Sequence, residues 1–167
     1  MNSMTTSSFV AVPGQEWSTL STSNHVNIYQ ADEKCSVANG DIPGFYSWLE
    51  TSNGYGSFNH PWSSDGNDMN NWQYYPAADK PGNNAGKMVM MEMKQALGST
   101  SSFTDYIEAL DNGWHIGITI SDDNHDGNPG DKYADNPRTG MWLNSLTSAS
   151  TEQALQELRF FGSQIDE

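Results

Sequence analysis

Apolar residues in this chain come in short runs, separated by long polar stretches, and the runs follow two periods. Phe9-Val10-Ala11-Val12, halted by Pro13-Gly14, and the alternating His25-Val26-Asn27-Ile28-Tyr29 read as strands. Gly56-Ser57-Phe58 is a short apolar piece leading into Asn59-His60-Pro61-Trp62. Lys87 to Met93 reads as a strand, His115 to Ile120 as a buried strand rich in β-branched residues, and Thr139 to Leu143 as a short last strand. Helical spacing appears three times. Asp41 caps a first helix with Pro43 in its first turn and Phe45, Trp48 and Leu49 on one face, ended by Asn53-Gly54. Phe103, Tyr106, Ile107 and Leu110 follow Ser101 or Ser102 as cap and stop at Gly113. Ser150 and Gln153 read as a capping box opening a final helix with Ala154, Leu155, Leu158 and Phe161 on its apolar side. Strands and helices alternate throughout, which predicts an α/β layer arrangement with much parallel pairing.

The polar remainder sets limits. The 167 residues suffice for one domain, with no internal repeat and no second-domain boundary. Only 35% of residues are hydrophobic and the mean hydropathy is -0.68, so the core is modest and the loops are long. The stretch from 62 to 86 has no periodic element, which points to a lid, a binding loop or an ordered insertion. Its Trp72, Tyr74 and Tyr75 serve either a pocket mouth or the anchoring of the loop. A formal charge of -14 argues against binding nucleic acid or anionic lipid through a basic face. No run approaches the roughly 20 apolar residues of a membrane span. The N-terminus lacks the basic region of a signal peptide, although the composition suits a secreted or periplasmic protein. Cys35, the one cysteine, excludes an intrachain disulfide.

Candidate chemistry gathers where apolar runs stop. The last buried run ends in Ser121-Asp122-Asp123-Asn124-His125-Asp126, a burst of oxygen and nitrogen donors. If the strand continues, Asp123 and His125 point the same way, because side chains alternate across a strand. Glu16 sits just past the first strand run, His25 opens the second, and His60 follows the Gly56-Ser57-Phe58 piece. His60 is also held away from helix by Pro61. Alone, Glu16 and His25 read as ordinary loop residues, and His60 reads equally as a ligand or as an imidazole packed beside Trp62. Together they form a set of carboxylates and imidazoles suited to Zn²⁺, Mn²⁺ or Fe²⁺. Asp122-x-Asn124-x-Asp126-Gly127 also matches the first half of a calcium loop, but Tyr133 stands where a bidentate Glu is required. No nucleophile elbow, phosphate loop or dinucleotide fingerprint is present.

Taken in order, PGQEWS, NHVNIY, FNHP, GWHIGITISDDNH and TGMWLNSLTSASTEQALQELR resemble the PHP (polymerase and histidinol phosphatase) superfamily of metallohydrolases, most closely the carbaryl and microcystin-degradation type. The resemblance runs from about Phe9 to Phe161. It implies a distorted (β/α)7 barrel with two or three metals at its strand ends, here a partial one lacking the first strands with their His-x-His segment. Residues 1 to 167 would then be the C-terminal two thirds of one such domain. By resemblance Glu16 bridges two metals, His25 and His60 bind the second, Asp123 the first and His125 a third; His115 has no assigned role.

The expectation is therefore a metal-dependent hydrolase of a small-molecule substrate. Its cations activate water against a phosphoester, or an amide or carbamate, and Arg138 is a candidate clamp for an anionic group. Two alternatives stand beside it. One is an inactive fragment kept for interaction, completed by an upstream segment or by a second copy. The other is an extracellular module binding calcium or glycan through acidic loops and exposed aromatics.

Overall fold

The computed structural model describes residues 5–18, 25–61, 72, 86–93, 101–121, 123, 125 and 138–163. The calcium-loop reading, and the expectations for Tyr74 and Tyr75, fall outside them. The described residues form a mixed α/β fold in the order β1 (Gly14–Ser18), β2 (His25–Tyr29), α1 (Ile42–Thr51), β3 (Tyr55–Asn59), β4 (Met88–Glu92), α2 (Ser101–Asp111), β5 (Gly117–Thr119), β6 (Arg138–Met141), α3 (Ser148–Gln156) and β7 (Phe160–Ser163). Strands β1 to β5 lie side by side in sequence order, and β6 and β7 form a separate two-stranded ribbon. The first three strands run antiparallel to their neighbours, whereas β3, β4 and β5 run parallel. Among the described strands the sheet stays open and does not close into a barrel. No described helix is long and apolar enough to cross a membrane.

Alternation assigns the two faces of this sheet. Val26, Ile28, Phe58 and Met91 are buried on one side with Phe45 and Leu49 of α1, Ala109 of α2, and Trp17, Trp72 and Trp114. Trp72 is thus an anchor: its ring meets Phe58 edge-on at 5.3 Å, and its carbonyl accepts from Trp114 Nε1. A smaller cluster of Tyr55, Val89, Met90, Leu155 and Phe160 ties the sheet to α3 and the ribbon. The ribbon comes so close to β5 that a Cβ at Gly117 would lie 2.6 Å from the Phe160 ring. Thr139 Oγ1 bonds both the N–H and the carbonyl of Ile120, fixing the same approach.

Local signals place most helix ends. Asp41 Oδ1 accepts from the Gly44 N–H, capping α1 as its spacing predicts. Helix α2 ends on Gly113 at φ 102°, with Trp114 N–H reaching Ala109 O and Gly113 N–H reaching Leu110 O, a Schellman motif. Four expectations are corrected. Residues 9–12 form no strand; only an isolated Thr6–Phe9 bridge is present, and pairing starts beyond Pro13, so Glu16 lies within β1. The cap of α3 is Thr147, whose Oγ1 accepts from Ser150 N–H, and not Ser150. That helix stops at Gln156; Leu158 turns at φ 52° and Phe160 and Phe161 enter β7. Finally, the apolar stripe of α2 is not its buried side. Phe103 and Ile107 are 61% and 40% exposed, while Asp105 and Ala109 are buried.

These burials predict contrasting stabilities in urea denaturation. Phe58→Ala is expected to cost about 3–5 kcal/mol, the range for a buried aromatic. Phe103→Ala is expected to change stability by about 0.5 kcal/mol or less. A large loss at Phe103 would return α2 to the orientation its apolar stripe suggests.

Candidate metal centre

Strand register brings three donors together. β1 and β2 face Glu16 to Asn27 and Ser18 to His25, and β2 and β3 face His25 to Asn59. Facing residues of an antiparallel pair share a side of the sheet, so Glu16, His25, Asn27 and Asn59 all project away from the main core. His25 Nδ1 lies 3.2 Å from Glu16 Oε1, and Asn59 Nδ2 donates to the same oxygen at 3.4 Å. The His60 ring meets the His25 ring edge-on, with centroids 4.9 Å apart and planes at 77°. One ligand atom each from Glu16, His25 and His60 lie within 4.8 Å of one another, so this group can hold a metal ion. Two imidazoles and a carboxylate are a donor set that zinc, manganese and iron accept, which is the chemical test of fit.

His60 reaches this position through an unusual backbone. It leaves β3 at φ 30°, immediately before Pro61. Its N–H donates to Glu92 Oε2 at 2.6 Å, and the Ser121 hydroxyl donates to the other Glu92 oxygen. Glu92 is only 3% exposed. Burial pushes its carboxyl above the usual range, and the bonds from Ser121 and the His60 N–H and the charge of His60 pull the other way; Asp123 adds a further upward push.

The Asp123 and His125 side chains do meet, at 3.1 Å, but not as successive residues of a strand. β5 ends at Thr119 and Asp123 turns at φ 45°. His125 is 76% exposed and pairs with Asp123 rather than joining the Glu16–His25–His60 group. Arg138 opens β6 on the exposed surface, and His115 is also exposed.

Beside the three donors lies a cavity of about 250 Å³. Asn27, Ser57, Asn59 and Glu92 supply its sheet wall, with Ser121 beyond β5, and Thr139, Met141, Thr151 and Leu155 close it from the ribbon and α3. Tyr29 also lines it, and burial raises the Tyr29 hydroxyl above its usual pKa. Among the described residues neither Lys nor Arg lines it, and Arg138 is not part of the wall. Asn59 belongs both to this wall and to the hydrogen bonds of Glu16, so it links the donor group to a cavity that Glu16, His25 and His60 do not themselves line.

Comparison with known proteins adds no relative: no family model matches the chain, and no curated protein or solved structure matches it. Sequence reading missed Asn59 as part of this site and left Glu92, near the end of the Lys87 to Met93 run, open between core and site. An asparagine one residue before a candidate histidine carries a weak signal. The better one was Glu92 itself, a carboxylate closing an otherwise apolar methionine run.

Glu16 is exposed and His25 only half-buried, so their pairing adds little to folding. Glu16→Gln is expected to shift the urea-denaturation free energy of the metal-free protein by about 0.5 kcal/mol or less. A loss several times larger would make the pair a structural brace.

Proposed function

We propose that this chain is a metal-dependent hydrolase domain of the PHP type, its sheet corresponding to part of that family's distorted barrel. The observation that carries this reading is the convergence of Glu16, His25 and His60 within 4.8 Å, from three strands, at one end of the sheet. The resemblance assigns those three residues to metal binding. That gathering is what the resemblance implies, and it supports the reading.

Glu16 supplies the negative charge of the site and is oriented by Asn59 Nδ2. His25 and His60 supply imidazole nitrogens, and the edge-on contact of their rings keeps both near the carboxylate. A divalent cation held by these residues would supply activation of water and polarisation of a substrate oxygen. Asp123, whose charge acts on Glu92, stands outside the group of three and pairs with His125. The cavity takes the substrate. Its described walls offer hydroxyls, amides and apolar side chains but no cation, and it contains a buried carboxylate. That lining favours a neutral ester, amide or carbamate over a phosphomonoester, whose charge calls for Arg or Lys.

A second reading, a PHP-like domain that binds metal without turnover, is favoured by one observation. Three donors gather, while Asp123 and His125 engage each other. Metal content and activity separate the two. Purified protein is expected to take up Zn²⁺ or Mn²⁺ stoichiometrically by plasma mass spectrometry, and His25→Ala or His60→Ala to weaken uptake tenfold or more. Affinity is expected to fall on acidification, because protons compete with the metal for the ligand atoms. Turnover of neutral aryl esters or carbamates, exceeding that of aryl phosphates, is the outcome expected of the hydrolase. Metal uptake with no turnover of either class selects the second reading, and no uptake removes both.

A further inference from the structure

We infer that Glu92 is a positioning residue for His60: its buried carboxylate ties the end of β3 to the segment leaving β5 and so sets where the His60 ring stands. This rests on the metal-site reading above and assigns Glu92 no contact with the metal, although its side chain also lines the cavity. Three observations carry it. Glu92 is the last residue of β4, the strand between β3 and β5, and its side chain is almost wholly buried. One of its oxygens accepts from the His60 N–H at 2.6 Å, and the other from the Ser121 hydroxyl. His60 itself sits at φ 30°, a backbone state that a non-glycine residue holds only when its surroundings impose it.

The geometry explains why a carboxylate serves here. The His60 N–H leaves the sheet with the chain and cannot continue the ladder towards β4, which pairs with β3 from Gly56 to Phe58. A buried donor needs an acceptor, and a charged one gives the shorter and stronger bond. The second oxygen, held by Ser121, stops the side chain from rotating away. The His60 backbone is therefore clamped from across two strands, and its ring is delivered against His25 at 4.9 Å. Groups of this kind, one step removed from a metal, typically change affinity about 10–100-fold when altered.

Two variants separate reach from charge. Glu92→Asp keeps the charge but draws the acceptor back by roughly 1.5 Å, one carbon–carbon bond, beyond hydrogen-bond range of the His60 N–H. Glu92→Gln removes the charge but keeps an oxygen for His60, and its amide can donate to Ser121 Oγ. Co²⁺ titration followed by its visible d–d absorption reads affinity and ligand geometry together. Nuclear Overhauser contacts between the His25 and His60 ring protons read ring placement in the metal-free protein. The expected result is that Glu92→Asp binds Co²⁺ at least tenfold more weakly, shifts the d–d bands and loses the ring contact, while Glu92→Gln stays within about threefold. If Glu92→Asp matches the parent protein in affinity, bands and ring contact, the inference is overturned and the metal site stands. It is likewise overturned if Glu92→Gln loses as much as Glu92→Asp, since charge rather than reach would then govern. Should the parent protein take up no Co²⁺, the metal reading fails, and the ring contact alone decides the role of Glu92: retained in Glu92→Asp it refutes the clamp, lost it supports it.

Discussion

A slip of one residue between β2 and β3 would turn one of the two strands over: either His25 and Asn27 would face the main core and Val26 and Ile28 the cavity, or Ser57 and Asn59 would face the core and Phe58 the cavity. That register is what the rest of the molecule depends on. It is held from the core side, where Val26, Ile28 and Phe58 are fully buried against α1 and the tryptophans. Burying three such side chains contributes several kcal/mol, at about 1.5–3 kcal/mol each, whereas the exposed polar pairs on the other side contribute little. The apolar side therefore decides the pairing, and the polar side is placed as its consequence. Chemistry at the sheet end is positioned by a core that never touches it.

The switch from antiparallel to parallel pairing at β3 has a related effect. Antiparallel pairing sets the start of β2 beside the end of β3, which is why His25 and Asn59 are neighbours. Parallel pairing then sets the ends of β3, β4 and β5 side by side, bringing His60, Glu92 and Ser121 to one edge. Neither pairing mode alone would assemble both the donor group and the clamp behind it.

Much of this was legible in the chain. The alternation of His25 to Tyr29 gave a strand and its two faces, Asp41 gave the start of α1, and Gly113 gave the end of α2. Glu16, His25 and His60 were readable as donors, though not their convergence, which is a property of strand order. What stayed hidden has physical causes. Residues 9–12 are apolar because Val12 lines the cavity, without any ladder partner. Leu158 and Phe161 fall at helical spacing from Ala154, yet the chain reverses at Leu158 and Phe160 is buried from a strand. The stripe on α2 shows that an apolar side and a buried side need not coincide, since the Schellman turn at Gly113 and the burial of Trp114 fix how that helix sits. Glu92 was ambiguous because one carboxylate in a methionine run reads equally as core or site.

β1 is the outermost strand of its sheet, and Glu16 stands near its middle. Open strand margins invite other chains to stack on them, and a charge on such a margin is one of the commonest deterrents. Among the described strands, the carboxylate that reaches towards His25 is thus also a charge of the kind that discourages such stacking. An acid at this position in another chain of the same topology would therefore not by itself indicate a metal site.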